Sequence, residues 1–202
     1  MNQNRILKLS RIEALTDGIF AIAMTILILN VSIPHHTASS VLMENLQGNI
    51  LQKLFIFAGS FVILGTHWIG TDFQHGFLAR VNRAYLWINI LFLMFICVIP
   101  FSASLLASYS HTSIGISFYA INLVFVGIAQ LLMWWYANKY QLNVEAGSAL
   151  VVKYSIYRRI YVGLFLYCIS LVAAQWDANI AFVILILPPL IHMAPGAVDK
   201  YI

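Results

Sequence analysis

The chain has 202 residues, of which only 18 are charged, 11 Lys or Arg and 7 Asp or Glu. That 9% compares with about 25% in an ordinary soluble domain, while apolar residues make up 61% and the mean hydropathy is +0.86. So few charges cannot form the polar surface of a soluble fold, and so apolar a chain is not disordered. A net charge of +4 without a dense basic patch argues against a nucleic-acid partner. The composition therefore predicts an integral membrane protein in a lipid bilayer.

Six continuous apolar stretches predict six transmembrane helices. They are unbroken runs, unlike the alternating stretches of about ten residues that mark a β-barrel. The connections between them are short, so we predict one all-α domain over residues 1–202. The last stretch contains Pro188 and Pro189, which we expect to bend or end its helix. The predicted spans are about 14–33, 51–69, 84–107, 114–136, 160–176 and 180–193.

The positive charges predict the orientation of these six spans. Ten of the eleven Lys and Arg residues fall on the side that holds the N-terminus, and only Lys53 falls on the other. Positive residues accumulate on the cytoplasmic side of membrane proteins. We therefore predict that both termini are cytoplasmic and that the protein is a multi-pass protein of the cell membrane.

The first stretch carries a polar group at its start: Arg11, Glu13, Thr16 and Asp17. Asp17 lies six residues after Arg11, roughly 9 Å of helix rise, and a carboxylate at that depth is costly unless it is paired. Two interpretations stay open. Asp17 is either an interfacial charge favoured by the helix dipole or part of a buried polar cluster that holds the helix against its neighbours. The acids also disfavour a cleaved signal peptide.

Beyond Asp17, the same helix places an aliphatic stripe on one face. Ile22, then Thr25 or Ile26, and then Leu29 follow one another at spacings of three and four residues. By periodicity alone, such a stripe most often packs against another helix. The periodicity does not decide whether this one faces protein, lipid or water.

Three motifs resemble the transmembrane protein 175 family, which comprises endolysosomal and prokaryotic potassium channels. Arg11-x-x-x-Leu15-Thr16-Asp17 is similar to the family's Arg-x-x-x-Phe-Ser-Asp signature, and the following Gly-Ile-Phe-Ala-Ile-Ala-Met-Thr-Ile-Leu-Ile-Leu is similar to its first helix. The second and third helices are also matched in order and spacing. By motif the whole resemblance covers about residues 11–105, and the remainder matches only by helix count. The residues that carry this second match are Trp68, the run Leu86-Trp87-Ile88-Asn89-Ile90-Leu91-Phe92-Leu93, and Pro100-Phe101.

The match has departures. Leu15 and Thr16 replace Phe and Ser conservatively, whereas Thr71 stands where the family usually has His. Asn82 stands where an acid often precedes the third helix. These changes concern hydrogen bonds between helices and leave the aliphatic stripe untouched.

The resemblance implies a homotetrameric potassium channel with one six-helix repeat per chain and a central pore lined by the first helix. Ile22 would form the cytoplasmic-side constriction, with Thr25, Ile26 and Leu29 in layers above it. K⁺ would permeate, with no metal site and no cofactor. The residues that would hold the helices together, without binding ions, are Arg11, Thr16, Asp17, Trp68 and Asn89.

Such a pore would select ions differently from a carbonyl filter. The chain has no Thr-Val-Gly-Tyr-Gly run, and a ring of Ile or Leu offers nothing to replace the ion's hydration water. Because K⁺ sheds water more readily than Na⁺, we expect modest selectivity for K⁺. The Thr25 hydroxyl would either add a polar layer or bond its own helix backbone.

Two alternatives compete with the channel. A proton- or cation-coupled secondary transporter would use Asp17, together with the other polar groups within the spans. Transporters usually show internal repeats, and none is evident here. An intramembrane enzyme is disfavoured because the spans hold no metal cluster, Ser-His pair or protease motif, so we expect no enzymatic activity. The other polar groups are Asn89, Asn122, Gln130 and Gln175.

Overall fold

The computed structural model describes residues 3–31, 50–109, 112–142 and 149–193. Over these residues the chain forms six α-helices, and α1 continues into a short 3₁₀ turn, Leu27–Asn30. This confirms the all-α fold class. The helices are α1 Gln3–Ile26, α2 Leu51–Gly76, α3 Arg83–Ser108, α4 Ser113–Lys139, α5 Ala149–Ala173 and α6 Ala178–Met193.

Five of the helices in the described ranges are long and apolar enough to cross a membrane, and α6 is a shorter apolar helix. Its 16 residues span about 24 Å, somewhat less than the roughly 30 Å of a hydrocarbon core. Pro188 and Pro189 do not end α6, which continues to Met193.

Helix α4 is the centre of the bundle. It packs against α3, α5 and α6, whereas α1 packs mainly against α2 and α3 at the margin. In the most apolar part of each helix, 56% of the residues are buried in α4 but only 28% in α1. The apolar interior is closed by buried side chains from several helices, among them Phe20, Leu64, Phe92, Leu123, Val126 and Met133.

Buried polar contacts fasten α4 to its neighbours. The Tyr119 hydroxyl is 2.9 Å from Ser60 Oγ on α2. Asn122 Nδ2 lies 3.4 Å from both the Phe95 carbonyl and Ser102 Oγ on α3. Since a buried polar group is costly without a partner, these contacts favour one arrangement of the helices.

The loop after α2 and the end of α4, which carry Arg80 and Lys139, lie together at one face of the bundle. The loop after α2 meets the end of α4, where the Ala79 N–H donates to the Leu142 carbonyl at 2.8 Å. Arg80 Nη2 also donates to the Gln141 carbonyl at 3.2 Å. The cytoplasmic orientation of this face stays a prediction.

Candidate functional site

Helix α1 has a buried face and an uncovered face. The buried face has side chains at intervals of three or four residues, as expected of a helix stripe that packs on a core. Phe20 on this stripe packs against Phe92 of α3, with ring centroids 6.1 Å apart. The buried stripe consists of Ile12, Thr16, Phe20, Ala23 and Leu27.

The opposite side of α1 holds the four residues predicted to line a pore. Ile22 is 60% exposed, Ile26 41% and Leu29 75%, and Thr25 is also exposed. We call these four residues the uncovered face of α1. No charged side chain belongs to it. The six-helix bundle leaves this face without cover, and its role as a pore lining stays a prediction.

The hydroxyl of Thr25 bonds its own helix. Thr25 Oγ1 donates to the Ile22 carbonyl at 2.9 Å, a local bond that Thr often makes in helices. Of the two possibilities left open by the sequence, the bond to the helix backbone is the one found. A hydroxyl that donates its hydrogen in this way keeps an oxygen that can still accept a hydrogen bond.

The structure brings two of the predicted motif residues into contact at the polar end of α1. Trp68 Nε1 on α2 donates to Asp17 Oδ1 at 2.9 Å. Asp17 is exposed and Arg11 is exposed, so the group is not fully buried. Two further motif residues are buried, Thr16 on α1 next to Asp17 in the sequence and Asn89 on α3. Within the described part of the chain, Thr16 Oγ1 and Asn89 Oδ1 have no hydrogen-bond partner.

Two of the departures from the family pattern, Asn82 and Thr71, carry specific bonds. Asn82 caps α3, because its Oδ1 accepts from the Tyr85 backbone N–H at 2.9 Å. Its Nδ2 also donates to the Tyr136 hydroxyl at 3.1 Å. Thr71 is buried, and its hydroxyl donates to the His67 carbonyl at 2.8 Å. These bonds show how Asn and Thr are accommodated at these positions.

The polar groups of the transporter alternative do not converge. Asp17 bonds Trp68, and Asn122 bonds α3. Gln130 lies against His67, while Gln175 Nε2 donates to Ser117 Oγ at the far end of α4. A coupled transporter needs its ion and substrate groups near one another. The arrangement gives that alternative no common site.

A pocket that the sequence analysis did not identify lies between α2, α4, α5 and α6. Its volume is about 90 Å³, and its polar lining comes from all four helices. One local signal was present: His67, Thr71 and Gln74 recur at spacings of four and three on α2, which places them on one face. The polar lining residues include His67, Gln74, Gln130, Arg159 and His192. No group of three or more His, Cys, Asp or Glu side chains suited to a metal ion occurs in the ranges described above.

The fold and the uncovered face of α1 define a multi-pass helical membrane protein whose first helix lies at the margin of its own bundle. Residues 11–100 match the family model described as endosomal/lysosomal potassium channel TMEM175. The match confirms the resemblance to the transmembrane protein 175 family.

The chain is also similar to several individual channel proteins. It is 30% identical over 135 residues to a potassium channel of Streptomyces collinus, covering 64% of each chain. It is 33% identical over 100 residues to a potassium channel of Chamaesiphon minutus, covering 49% of each. The matched part is therefore about half to two thirds of the length of these relatives. It is 22% identical to the endosomal/lysosomal proton channel TMEM175 of Danio rerio, covering 66% of this chain and 26% of that protein.

A solved structure shares the fold. The crystal structure of a lysosomal potassium-selective channel TMEM175 homolog from Chamaesiphon minutus superposes with a TM-score of 0.81. The alignment covers 92% of this chain and 96% of that one at 24% identity. At this identity the likeness shows the fold and no more.

Proposed function

We propose that this chain is the subunit of a potassium-permeable channel of the cell membrane, with the pore lined by α1. The observation that carries the proposal is the uncovered face of α1, in which Ile22, Ile26 and Leu29 are large aliphatic side chains without cover from their own chain. The potassium-channel names of the bacterial relatives support the same function.

A pore of this kind requires several chains. One helix cannot enclose a channel, so the uncovered faces of several α1 helices must meet around an axis. We propose four chains, arranged as a homotetramer with cyclic symmetry. In that assembly α2 and α3 support α1 from behind, which agrees with the contacts that α1 makes within one chain.

Selectivity in this proposal comes from the cost of removing water. A ring of Ile22 side chains has no oxygen to coordinate a cation, so an ion passes only with most of its hydration shell. The constriction therefore favours the ion that loses water at least cost, K⁺ over Na⁺, by a modest ratio. The lone pairs of Thr25 lie one turn away and offer a polar layer that hydrated ions can contact.

The first experiment measures ion flux in liposomes. Purified protein is reconstituted, and the flux of K⁺, Na⁺ and H⁺ is measured separately, with the proton gradient set to zero for the metal ions. We expect downhill K⁺ flux that exceeds Na⁺ flux. The H⁺ measurement is included because the Danio rerio relative is named a proton channel. Flux that requires a proton or Na⁺ gradient would contradict the channel.

The second experiment tests the constriction. Ile22→Asn places an amide at the predicted narrowest ring, so the ring holds water more readily and K⁺ flux rises severalfold. The matched control is Ile28→Asn, the same substitution on the 3₁₀ turn at a side chain of comparable exposure, 47%, that lies off the stripe. Equal flux changes in the two variants would remove Ile22 as the constriction.

The third experiment measures the number of chains. Four chains of 22.7 kDa have a protein mass of about 91 kDa, which native mass spectrometry from a mild detergent resolves from a dimer or trimer. A stable dimer with intact K⁺ flux would contradict the tetramer. Flux by a monomer would contradict the pore lined by α1.

A further inference from the structure

The pocket between α2, α4, α5 and α6 is separate from the uncovered face of α1, because no residue of α1 lines it. Its walls are mainly apolar, and three glycines line it, one each from α2, α4 and α5: Gly70, Gly127 and Gly163. Side chains at two of these positions would not fit freely. A Cβ at Gly70 would lie 3.0 Å from Gln130 Nε2, and one at Gly127 would lie 3.2 Å from Leu164 Cδ1.

Buried polar atoms in this lining lack partners within the described residues. Gln74 is 1% exposed, yet both its Nε2 and its Oε1 have no hydrogen-bond partner, and neither has His67 Nε2. Each buried polar atom left unpaired costs about 1–3 kcal/mol. Three such atoms on the wall of one pocket indicate that the pocket binds a molecule that supplies their partners.

The hydrogen-bond chain around Gln130 fixes what that molecule must supply. The Thr71 hydroxyl donates its hydrogen to the His67 carbonyl, so Thr71 Oγ1 accepts from Gln130 Nε2 at 3.4 Å. Gln130 Oε1 then faces His67 Nδ1 at 3.1 Å, and Nδ1 carries the hydrogen. His67 Nε2 is therefore an acceptor that needs a donor such as a hydroxyl.

The other polar members of the lining complete the pattern. The Gln74 amide has a donor, Nε2, and an acceptor, Oε1. A hydroxyl can accept from Nε2 or donate to Oε1. Arg159 adds a permanent positive charge with a planar set of donors that suits phosphate. His192 Nε2 meets the Arg159 carbonyl at 3.0 Å and so ties α6 to α5 beside the pocket. Together these groups suit a molecule that carries both hydroxyls and a phosphate.

The position of Arg159 along α5 indicates where this molecule comes from. Arg159 lies seven residues into the apolar segment that begins at Val152, roughly 10 Å of rise. Lys153 and Arg158 flank it on the same positively charged end of the bundle. A long Arg side chain at this depth reaches the level where lipid headgroups meet the hydrocarbon.

We propose that this pocket binds the glycerol phosphate headgroup of an anionic phospholipid, with the phosphate at Arg159 and the glycerol hydroxyls at His67 and Gln74. At about 10–15 Å³ for each water-sized group, a pocket of 90 Å³ holds on the order of six to nine non-hydrogen atoms. That is room for the glycerol but not for the whole glycerol phosphate, so the phosphate lies at the edge of the pocket beside Arg159. The acyl chains stay outside, against the lipid-facing surface.

The test compares the thermal unfolding of the full chain in nanodiscs of different lipids. Phosphatidylcholine is the neutral reference, phosphatidylglycerol carries the proposed headgroup, and phosphatidylserine has the same net charge without the glycerol hydroxyls. We expect phosphatidylglycerol to raise Tm by on the order of 5 °C over the reference and phosphatidylserine to raise it by much less. Native mass spectrometry should show phosphatidylglycerol retained by the protein.

Variants locate the effect. Gln74→Leu removes two of the unpaired atoms at similar volume, and it should abolish the phosphatidylglycerol shift without lowering Tm in phosphatidylcholine. Gly163→Ala adds a methyl group to the pocket at 3.5 Å from His192 Cε1, an ordinary contact, and should reduce the shift. Gly65→Ala is the control, because it makes the same helix-favouring change where nothing lies within 4 Å of the added Cβ.

The outcomes separate the sources of the ligand. A Tm rise with soluble glycerol 3-phosphate in phosphatidylcholine discs supports the same headgroup chemistry but assigns it to a dissolved ligand. Equal shifts with phosphatidylserine and phosphatidylglycerol would overturn the proposal in favour of bilayer charge alone. No shift with any of these ligands, or an unchanged shift in Gln74→Leu, would overturn it in favour of a pocket that holds only water. The lipid shift does not depend on channel activity, so failure of the proposed channel leaves this test intact.

Discussion

The hydrogen bond between Trp68 and Asp17 joins the polar end of α1 to α2, so its removal is expected to loosen the predicted pore helix. Nε1 and Oδ1 are 2.9 Å apart, and hydrogen bonds to charged groups contribute about 1.5–3 kcal/mol. Trp68 is 39% exposed and Asp17 is exposed, so water competes and about 1 kcal/mol is the expected contribution. For a chain of this size Trp68→Phe should lower Tm by roughly 2–4 °C.

A double-mutant cycle measures this bond directly. Trp68→Phe, Asp17→Leu and the double variant are compared by thermal unfolding followed by circular dichroism, and we expect a coupling free energy of about 1 kcal/mol. Trp87→Phe is the control, because Trp87 is 62% exposed on α3 and its loss leaves Asp17 unaffected. Asp17→Asn keeps an acceptor oxygen without the charge and should give an intermediate loss.

Two results would refute this reasoning. If the effects of the two single substitutions sum to the effect of the double variant within about 0.5 kcal/mol, the two side chains contribute independently. The hydrogen bond then does not stabilise the contact between α1 and α2. If Asp17→Asn abolishes uptake while the assembled protein is as stable as the original, the carboxylate takes part in transport. That second result would favour the coupled transporter, since the channel proposal leaves downhill K⁺ flux per assembled complex unchanged.

Three further substitutions test other parts of the fold. Gln130→Leu removes the hydrogen-bond partner of His67 Nδ1 and is expected to lower the free energy of unfolding by about 1–3 kcal/mol. Thermal unfolding of the reconstituted protein would show this as a lower Tm. An unchanged Tm would contradict the bond between Gln130 and His67. Asn82→Ala removes the cap of α3 and the contact with Tyr136 and should cost about 0.5–2 kcal/mol, again read from thermal unfolding. Thr25→Val removes an exposed hydroxyl whose hydrogen stays within α1, so stability should change by about 0.5 kcal/mol or less. K⁺ flux should fall because the proposed polar layer is lost, and unchanged flux would remove Thr25 from the ion path.

The apolar runs predicted the number of helices, but they did not predict where every helix ends. Helix α5 begins at Ala149, whereas its predicted span begins at 160. Lys153, Arg158 and Arg159 interrupt the hydrophobicity of this segment, yet the backbone hydrogen bonds of a helix continue through polar residues at the membrane surface. Hydropathy measures the apolar part of such a helix and misses its polar end.

The spacing of the aliphatic residues in α1 predicted which side chains share a face, whereas it could not predict the pocket. Residues 22, 25, 26 and 29 share one face of any regular helix, so their common side follows from spacing alone. Their exposure does not follow from spacing, because it depends on how α1 packs against α2 and α3. The pocket required the relative positions of four helices, which no local period determines. His67 on α2 and Gln130 on α4 meet because α2 and α4 pack at one particular register. That register depends on bonds such as the one between Tyr119 and Ser60.

The two faces of α1 differ in what a substitution can change. The buried face includes Phe20, which contacts Phe92, so truncating it would leave a cavity in the core and lower stability by about 3–5 kcal/mol. The uncovered face contains only Ile22, Thr25, Ile26 and Leu29, and changing one of them creates no cavity within the chain. Substitutions on this face are therefore expected to change flux without changing the fold of one chain. Since it carries no charge, any ion that moves along it is sorted by its hydration and by the width of the ring.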